Sequence, residues 1–496
     1  MPARSHDAVP NIALYNLRDA RAETQEQLAE ALNALARKRG EVAAVTGNHV
    51  SRWERGIVHP SRLHCQLLAE HFGVTVGELG LTRQKVAPVG HRGNLADSVA
   101  NVLRIEDPAT TPDGEPPVIE SQQQWLHVRR SMHANHTRLA QNAARLYPEE
   151  VRVGASGILA RPEWTFASPV DLENIQISFD PDAKAPAFDG TEDLTSHVRP
   201  LQTIERRYQR YSQAIRDVAQ PKLFENRLSW RLAQADFTDS GARLSFGNMN
   251  YFDAMDTCEA VAHEFAQAHL VNDGEVSAPT WRGLRFRKAI DDPFDLSRRP
   301  LLMSINTLTI RRDKNSASVV LHNRNAANVA TSGGVIGVMP AGVFQPSSVR
   351  SGDHSGDFDL WRNIMREYSE EFLGNPEHDG DGAGADYDAE PLRSLDLARR
   401  SGGVRIYCFG LGIGALDLWG GLETVAVFDA EVFDELFANL VRVNDEGTIL
   451  RVGTIQPTAH IPFTSEVVKE LLATERLAPE TAMSLQSAWR HRDQLL

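Results

Sequence analysis

Three carboxylates stand close together near the end of the chain. Residues 366–371 read REYSEE, so Glu367, Glu370 and Glu371 lie at i, i+3 and i+4, the spacing that stacks side chains on one side of an α-helix. Clustered carboxylate oxygens are what a hard cation such as Mg²⁺ takes as ligands. A second stretch carries different chemistry. Residues 46–56, TGNHVSRWERG, supply Thr46, Asn48, His49, Ser51, Arg52 and Arg55. Their hydroxyl, amide, imidazole and guanidinium groups are the types that hydrogen-bond base edges and phosphates.

Each cluster needs an element to hold it. Around REYSEE, residues 357–374 (DFDLWRNIMREYSEEFLG) place Trp361, Ile364, Met365, Tyr368 and Phe372 on an apolar stripe. Arg366, Glu367, Glu370 and Glu371 fall on the other side. The β-branched runs 305–312 and 318–321, parted by Asp313-Lys314-Asn315, predict a hairpin ahead of this helix. In the N-terminal stretch, Thr46 is an N-cap, Val50 and Trp53 share a buried face, and Gly56 stops the helix. Upstream, Thr24 and Gln27 form a Thr-x-x-Gln capping box before Leu28 and Leu32. Downstream, residues 60–73 carry Leu63, Leu67, Leu68 and Phe72 at helical spacing, and 75–81 reads as a last short helix.

The paired helices, TQEQLAEAL before VSRWERG, resemble the XRE (lambda repressor/Cro-like) helix-turn-helix family over residues 11–82. The resemblance implies double-stranded operator DNA as partner. Gln25 then meets phosphate, and Thr46, Asn48, His49, Ser51, Arg52 and Arg55 form the DNA-binding set. One departure is an insertion between Leu32 and Thr46, carrying Arg37-Lys38-Arg39, where the family has about two residues.

REYSEE in its strand-rich setting resembles the Nudix hydrolase box. There an Arg-Glu pair, matched by Arg366 and Glu367, braces two metal-binding glutamates, matched by Glu370 and Glu371. The resemblance implies Mg²⁺ at Glu367, Glu370 and Glu371, with Arg366 at the ligand. Phe358 stands in the slot of an upstream glutamate and Leu373 in that of the closing glycine. These departures favour sensing over hydrolysis; a Mg²⁺-dependent pyrophosphatase carrying a DNA-binding domain is the rival reading. The order of parts, with ARLYPEE at 144–150 and ILARPEW at 158–164, is similar to long actinobacterial regulators of the XRE type.

The 496 residues carry a net charge of −14. Residues 1–85 alone carry +2, so the rest carries −16. An acidic body discourages non-specific adhesion to nucleic acid and leaves attraction to the head. Cys65, Cys258 and Cys408 are widely spaced, which fits a reducing cytoplasm and excludes a disulfide framework. Neither a signal-like apolar core nor a membrane-length apolar run appears.

The expected architecture is therefore multidomain. It has an all-α helix-turn-helix head (11–82), a linker (83–120), an α+β middle region (121–300) and a Nudix-like α/β/α domain (301–496) with a helical cap. The basic helix at 122–147 is read as a solvated or dimerising face over one that touches DNA, and a homodimer is expected because a single small head rarely reaches useful specificity. A small, phosphorylated or nucleotide-like effector is expected in the body. HEFAQAH at 263–269 fails as a zinc motif because position i+4 is Gln267, so His263, Glu264 and His269 are expected on a partly exposed face. RRYQRY at 206–211 is read as an anion site or a surface helix. DGDGAGADYDAE at 379–390 only imitates a calcium loop. GLGIGA at 410–415 imitates a dinucleotide fingerprint but leaves too few residues before Asp429 for a helix and a strand.

Overall fold

In the computed structural model, Thr24 begins the first helix as the sequence predicts. Its hydroxyl accepts the Gln27 N–H at 3.1 Å, and Gln27 Oε1 accepts the Thr24 N–H at 2.8 Å. The chain forms two compact units, Met1–Ala109 and Thr110–Leu496. The structure describes residues 11, 14, 17–18, 21, 23–39, 45–46, 49–50, 53, 60–72, 74 and 79 of the first. Of the second it describes residues 116–221, 224–271, 274–324, 335–348, 354–375, 384–438, 447–449, 460–474 and 477–496.

The first unit packs helix α1 (Gln25–Lys38) against α2 (Arg62–Phe72). Leu28 and Leu32 from α1 meet Val50, Trp53, Leu67, Leu68 and Phe72 in one core. The apolar faces read from the sequence are the faces buried. The insertion lengthens α1, which runs to Lys38 instead of stopping near Leu32. Arg21 closes the end of α2 by donating to the carbonyls of His71 and Phe72.

The second unit is organised on a mixed sheet of eleven strands among the described residues. They are β1 (Ile158–Leu159), β2 (Thr165–Asp171), β3 (Ile175–Phe179), β4 (Leu228–Thr238), β5 (Gly241–Asn250) and β6 (Leu301–Arg312). Then come β7 (Ala317–Val319), β8 (Ala341–Val343), β9 (Val404–Gly414), β10 (Gly420–Asp429) and β11 (Ile461–Pro462). The main order is β1-β9-β10-β6-β4-β5-β3; β2 pairs with β9, β7 and β8 with β6, and β11 with β7. The predicted hairpin is the antiparallel β6–β7 pair.

The expected boundary at 300/301 does not exist in this sheet. Strand β6 pairs with β4, while β9 pairs with β1 and β2, so residues on both sides of 300 share one layer. Backbone pairing between distant strands leaves no local mark in composition, which is why the sequence suggested a division. The region read as linker also ends early, since helix α3 (Pro116–Ala134) starts inside it. It is followed by α4 (His136–Ala144). After Pro148 the chain makes a 3₁₀ turn, Glu149–Val151.

Both faces of the sheet are buried. On β10, Leu422, Ala426 and Phe428 enter one core while Val425 and Val427 enter the other. On β9, Val404, Ile406 and Cys408 share a core with Leu411 and Ile413 because a bulge between Cys408 and Gly410 resets the alternation. Gly410 has φ +142°, and a Cβ there would lie 2.3 Å from the Trp164 carbonyl oxygen. Gly412 and Gly414 belong to the same strand. Thus 410–414 is a strand segment in close contact with neighbours, not a phosphate loop.

One buried carboxyl sits in the middle of this sheet. Glu423 accepts the Asn306 amide at 2.8 Å and the Ser484 hydroxyl at 2.6 Å, and is 1% exposed. Burial pushes it up to about 8 from an ordinary 4.5, against the effect of those two bonds. Between these values the folded chain keeps a proton that the unfolded chain has lost, so stability falls as pH rises through this window. Glu423→Gln retains a donor and an acceptor without titrating. Its stability relative to the parent should rise by roughly 1.4 kcal/mol per pH unit between about pH 4.5 and 8. Urea unfolding at pH 5, 6.5 and 8 measures this, and parallel curves for the two proteins would refute it.

Candidate functional site

In the head, the segment before the second helix is fixed by one side chain. Asn33 of α1 donates to the Val45 carbonyl at 2.7 Å and accepts the Val45 N–H at 2.8 Å. Thr46 then caps the next turn: its N–H donates to His49 Nδ1 at 3.1 Å, and the Val50 N–H bonds its carbonyl. Val50 and Trp53 are buried at 0% and 3%, while Thr46 and His49 are exposed. Gln25 lies half-buried at the start of α1. Asn48, Ser51, Arg52 and Arg55 lie outside the described residues, as does the short helix expected at 75–81 except for Leu79, which is buried in the core.

The glutamate-rich helix has a different geometry from the one its spacing implied. Helix α7 (Leu360–Glu367) buries the predicted stripe but continues as a π-turn, Tyr368–Phe372. A turn with i→i+5 bonds rotates less per residue than an α-turn. Glu371 therefore faces inward, 3% exposed, and accepts the Ala341 N–H at 3.1 Å. Glu370 stays half-exposed, and Glu367 lies against β8, where a Cβ on Gly342 would collide with its carboxylate. Among the described residues no three His, Cys, Asp or Glu side chains gather as a metal site. The residues present do not fit the Mg²⁺ arrangement expected at Glu367, Glu370 and Glu371.

Arg366 is likewise inside the fold, 4% exposed. It donates to Tyr387 Oη at 2.6 Å, to the Gln345 carbonyl at 2.7 Å and to Asn363 Oδ1 at 2.9 Å. The Asp357 carboxylate lies 3.6 Å away. Burial alone would raise Asp357, but Ser347, Tyr387 and the Arg366 guanidinium hold it below its ordinary value. Arg366 thus braces a loop instead of facing a ligand. Phe358, in the box position of a glutamate, packs against Trp230, Phe246 and Phe344. Gly352, which falls in the slot of the first glycine of the box, lies outside the described residues.

His263, Glu264 and His269, on helix α5 (Ala260–His269), are not on an exposed face; each is 2% exposed. Glu264 accepts the N–H groups of Phe286 and Arg287 at the start of helix α6 (Arg285–Ile290). His263 bonds Tyr211 Oη at 2.9 Å, and burial lowers it to about 3. His269 bonds the Thr280 N–H. The helix is polar there because it caps and ties neighbouring segments within the core. The 206–211 segment is also committed, with Arg210 paired to Asp189 and Asp256 and Arg207 donating to the Arg199 carbonyl.

The basic face of α3 and α4 is divided: Arg130 and Arg138 are exposed, as a solvated face requires, while Arg129, His133 and His136 enter a buried ionic cluster. Arg129 lies 2.7 Å and His133 3.1 Å from Glu259 Oε1, and His136 lies 3.2 Å from Asp417. Burial alone would raise Glu259, yet Arg129 and His133 hold it down to about 2. The cavity beside these groups is about 30 Å³, enough for a water molecule.

The roomier concavity is a cleft of about 370 Å³ lined by Tyr147, Pro148, Arg161, Trp281, Asp291, Asp292 and Phe294, among others. Tyr147 and Trp281 meet edge to face, 5.6 Å between centroids. Arg161 lies over Trp164 and Phe294 and pairs with Asp292 at 2.5 Å. Asp291 holds φ +64°, ψ −95°, near the strained γ-turn region. None of these residues was proposed as a site from sequence. The only signals were ARLYPEE and ILARPEW, which contain Tyr147, Pro148 and Arg161.

The family described as SP15 N-terminal domain matches residues 14–82 of this chain. No curated protein matches the chain. No helix of the described residues is long and apolar enough to cross a membrane.

The Arg366 geometry makes a stability prediction. Arg366→Met leaves the buried Asp357 without its guanidinium and strands the Gln345 carbonyl. It should cost on the order of 3 kcal/mol in urea unfolding. A loss below about 0.5 kcal/mol would mean that Arg366 does not hold this loop.

Proposed function

We propose that this chain is a DNA-binding transcriptional regulator whose acidic body senses a small molecule. The carrying observation is the Asn33–Val45 clamp between α1 and the following capped turn. It holds the buried Val50 and Trp53 face against α1 and leaves Thr46 and His49 outward. A helix so clamped to a preceding one is the arrangement by which a helix-turn-helix enters the major groove. The resemblance to the XRE family and the contrast of +2 in the head with −16 in the body support the same reading. In it, Asn48, Ser51, Arg52 and Arg55 read bases or phosphates, and Gln25 anchors the backbone. The body is read as Nudix-like, its box helix retained for packing.

Binding as a homodimer follows from the same reading, because paired half-sites about one helical turn apart supply the specificity that one small head lacks. Selection of duplexes from a random pool by the full chain, followed by anisotropy titration, tests the proposal. On the selected site Arg52→Ala should cost about 1–3 kcal/mol, with little loss on random duplex. Gln25→Ala should weaken both alike. Enrichment of no sequence over the pool would refute the regulator reading. Sedimentation of the DNA complex as a monomer would refute the dimer.

A further inference from the structure

We infer that the cleft at Tyr147, Trp281 and Asp291 is a binding site for a planar aromatic cation. The inference deepens the sensing half of the proposed function and rests on it only for biological use. Three observations converge on this ligand class. The walls are aromatic and set at a corner: Tyr147 and Trp281 stand at 79° to each other, so a flat ring stacks on one and meets the other edge-on. Tyr147 is held in place from behind by Arg287, which is 1% exposed and donates to its hydroxyl at 3.0 Å.

The charge of the lining also selects the ligand. Its one cation, Arg161, is neutralised by Asp292 at 2.5 Å and already lies over two aromatic rings. Asp291 has no ion-pair partner among the described residues and leaves one uncompensated negative charge at the cleft. Aromatic faces with a carboxylate attract a cation and repel a phosphate or carboxylate.

The third observation is the backbone. Asp291 ends α6 in a conformation that an L-residue rarely adopts, with its N–H on the Arg287 carbonyl. Asp292 locks the loop by accepting the Phe294 N–H at 2.9 Å while holding Arg161. Glycine fits φ +64° better than aspartate, so packing alone gives no reason for a carboxylate there. The size of about 370 Å³ lies in the range of small-molecule sites.

Calorimetry on the full chain with N-methylquinolinium, quinoline and quinoline-2-carboxylate tests this. The cation should bind about tenfold tighter than quinoline, and the carboxylate weakest of the three. Asp291→Gly removes the charge and relieves the backbone, so its melting temperature should be equal or higher. Its affinity for the cation should drop about tenfold while that for quinoline holds. Trp281→Ala should weaken all three. Absence of cation binding, carboxylate binding as tight as that of the cation, or unchanged cation affinity in Asp291→Gly would each overturn the site. If the cation binds as expected but leaves operator affinity unchanged, the site stands and the sensing half of the proposed function falls.

Discussion

The second unit depends on the parallel pairing of β6 with β10, which runs in unbroken register from Met303 opposite Gly420 to Arg312 opposite Asp429. Every other strand of the main sheet attaches to one of these two directly or through one or two neighbours. Both are covered on both faces, so each backbone group must find its partner in the sheet and each side chain in a core. Two polar side chains of β6 are matched across the register and a third finds its partner on the π-turn after α7. Asn306 meets Glu423, Thr307 meets Thr424 at 2.9 Å, and Thr309 reaches Tyr368 at 2.8 Å. A slip of one residue would set a buried carboxyl against apolar side chains, so these pairs select one register over its neighbours.

Buried arginines tie that pair to the rest of the unit. The turn between β9 and β10 presents the carbonyls of residues 415, 416 and 418 to the interior. Arg287 donates to Ala415 and Leu416, and Arg299 donates to Leu418 at 2.6 Å. A guanidinium satisfies several carbonyls at once, which suits a turn excluded from water. Through Arg287 the turn is joined to Tyr147, and so a turn between two interior strands positions one wall of the cleft. The cleft is open at the surface but its aromatic floor is set by the core.

The glutamate-rich helix shows how small a change in winding redirects chemistry. Its apolar stripe is spaced for an α-helix and is buried as such, with Ile364, Met365, Tyr368 and Phe372 at or below 2% exposure. One π-turn then carries Glu371 under β8 and makes it a partner of the Ala341 N–H. A carboxylate that caps a strand is a packing element, and an arginine with three protein acceptors is a brace. The same residue types spaced as in a metal box thus serve stability.

Much of the local structure was legible in the sequence. The Thr24–Gln27 capping box, the buried Val50 and Trp53, the Trp361 to Phe372 stripe and the β6–β7 hairpin follow from contacts within a few residues, and those rules operate on the chain by itself. What the sequence left undecided spans longer distances. His263, Glu264 and His269 read as a surface face because their partners Tyr211, Thr280 and the 286–287 amides lie outside the helix. The glycines at 410–414 imitate a fingerprint in the sequence, and their close packing was not legible there, because the strands that crowd them, β1 and β2, lie some 250 residues earlier. The cleft was invisible for the same reason: Tyr147, Arg161, Trp281 and Asp291 come from separate elements. Sequence determined which residues are apolar, capped or charged; only tertiary packing decided which charges meet and which reach solvent, because that choice depends on what distant segments bring to each side chain.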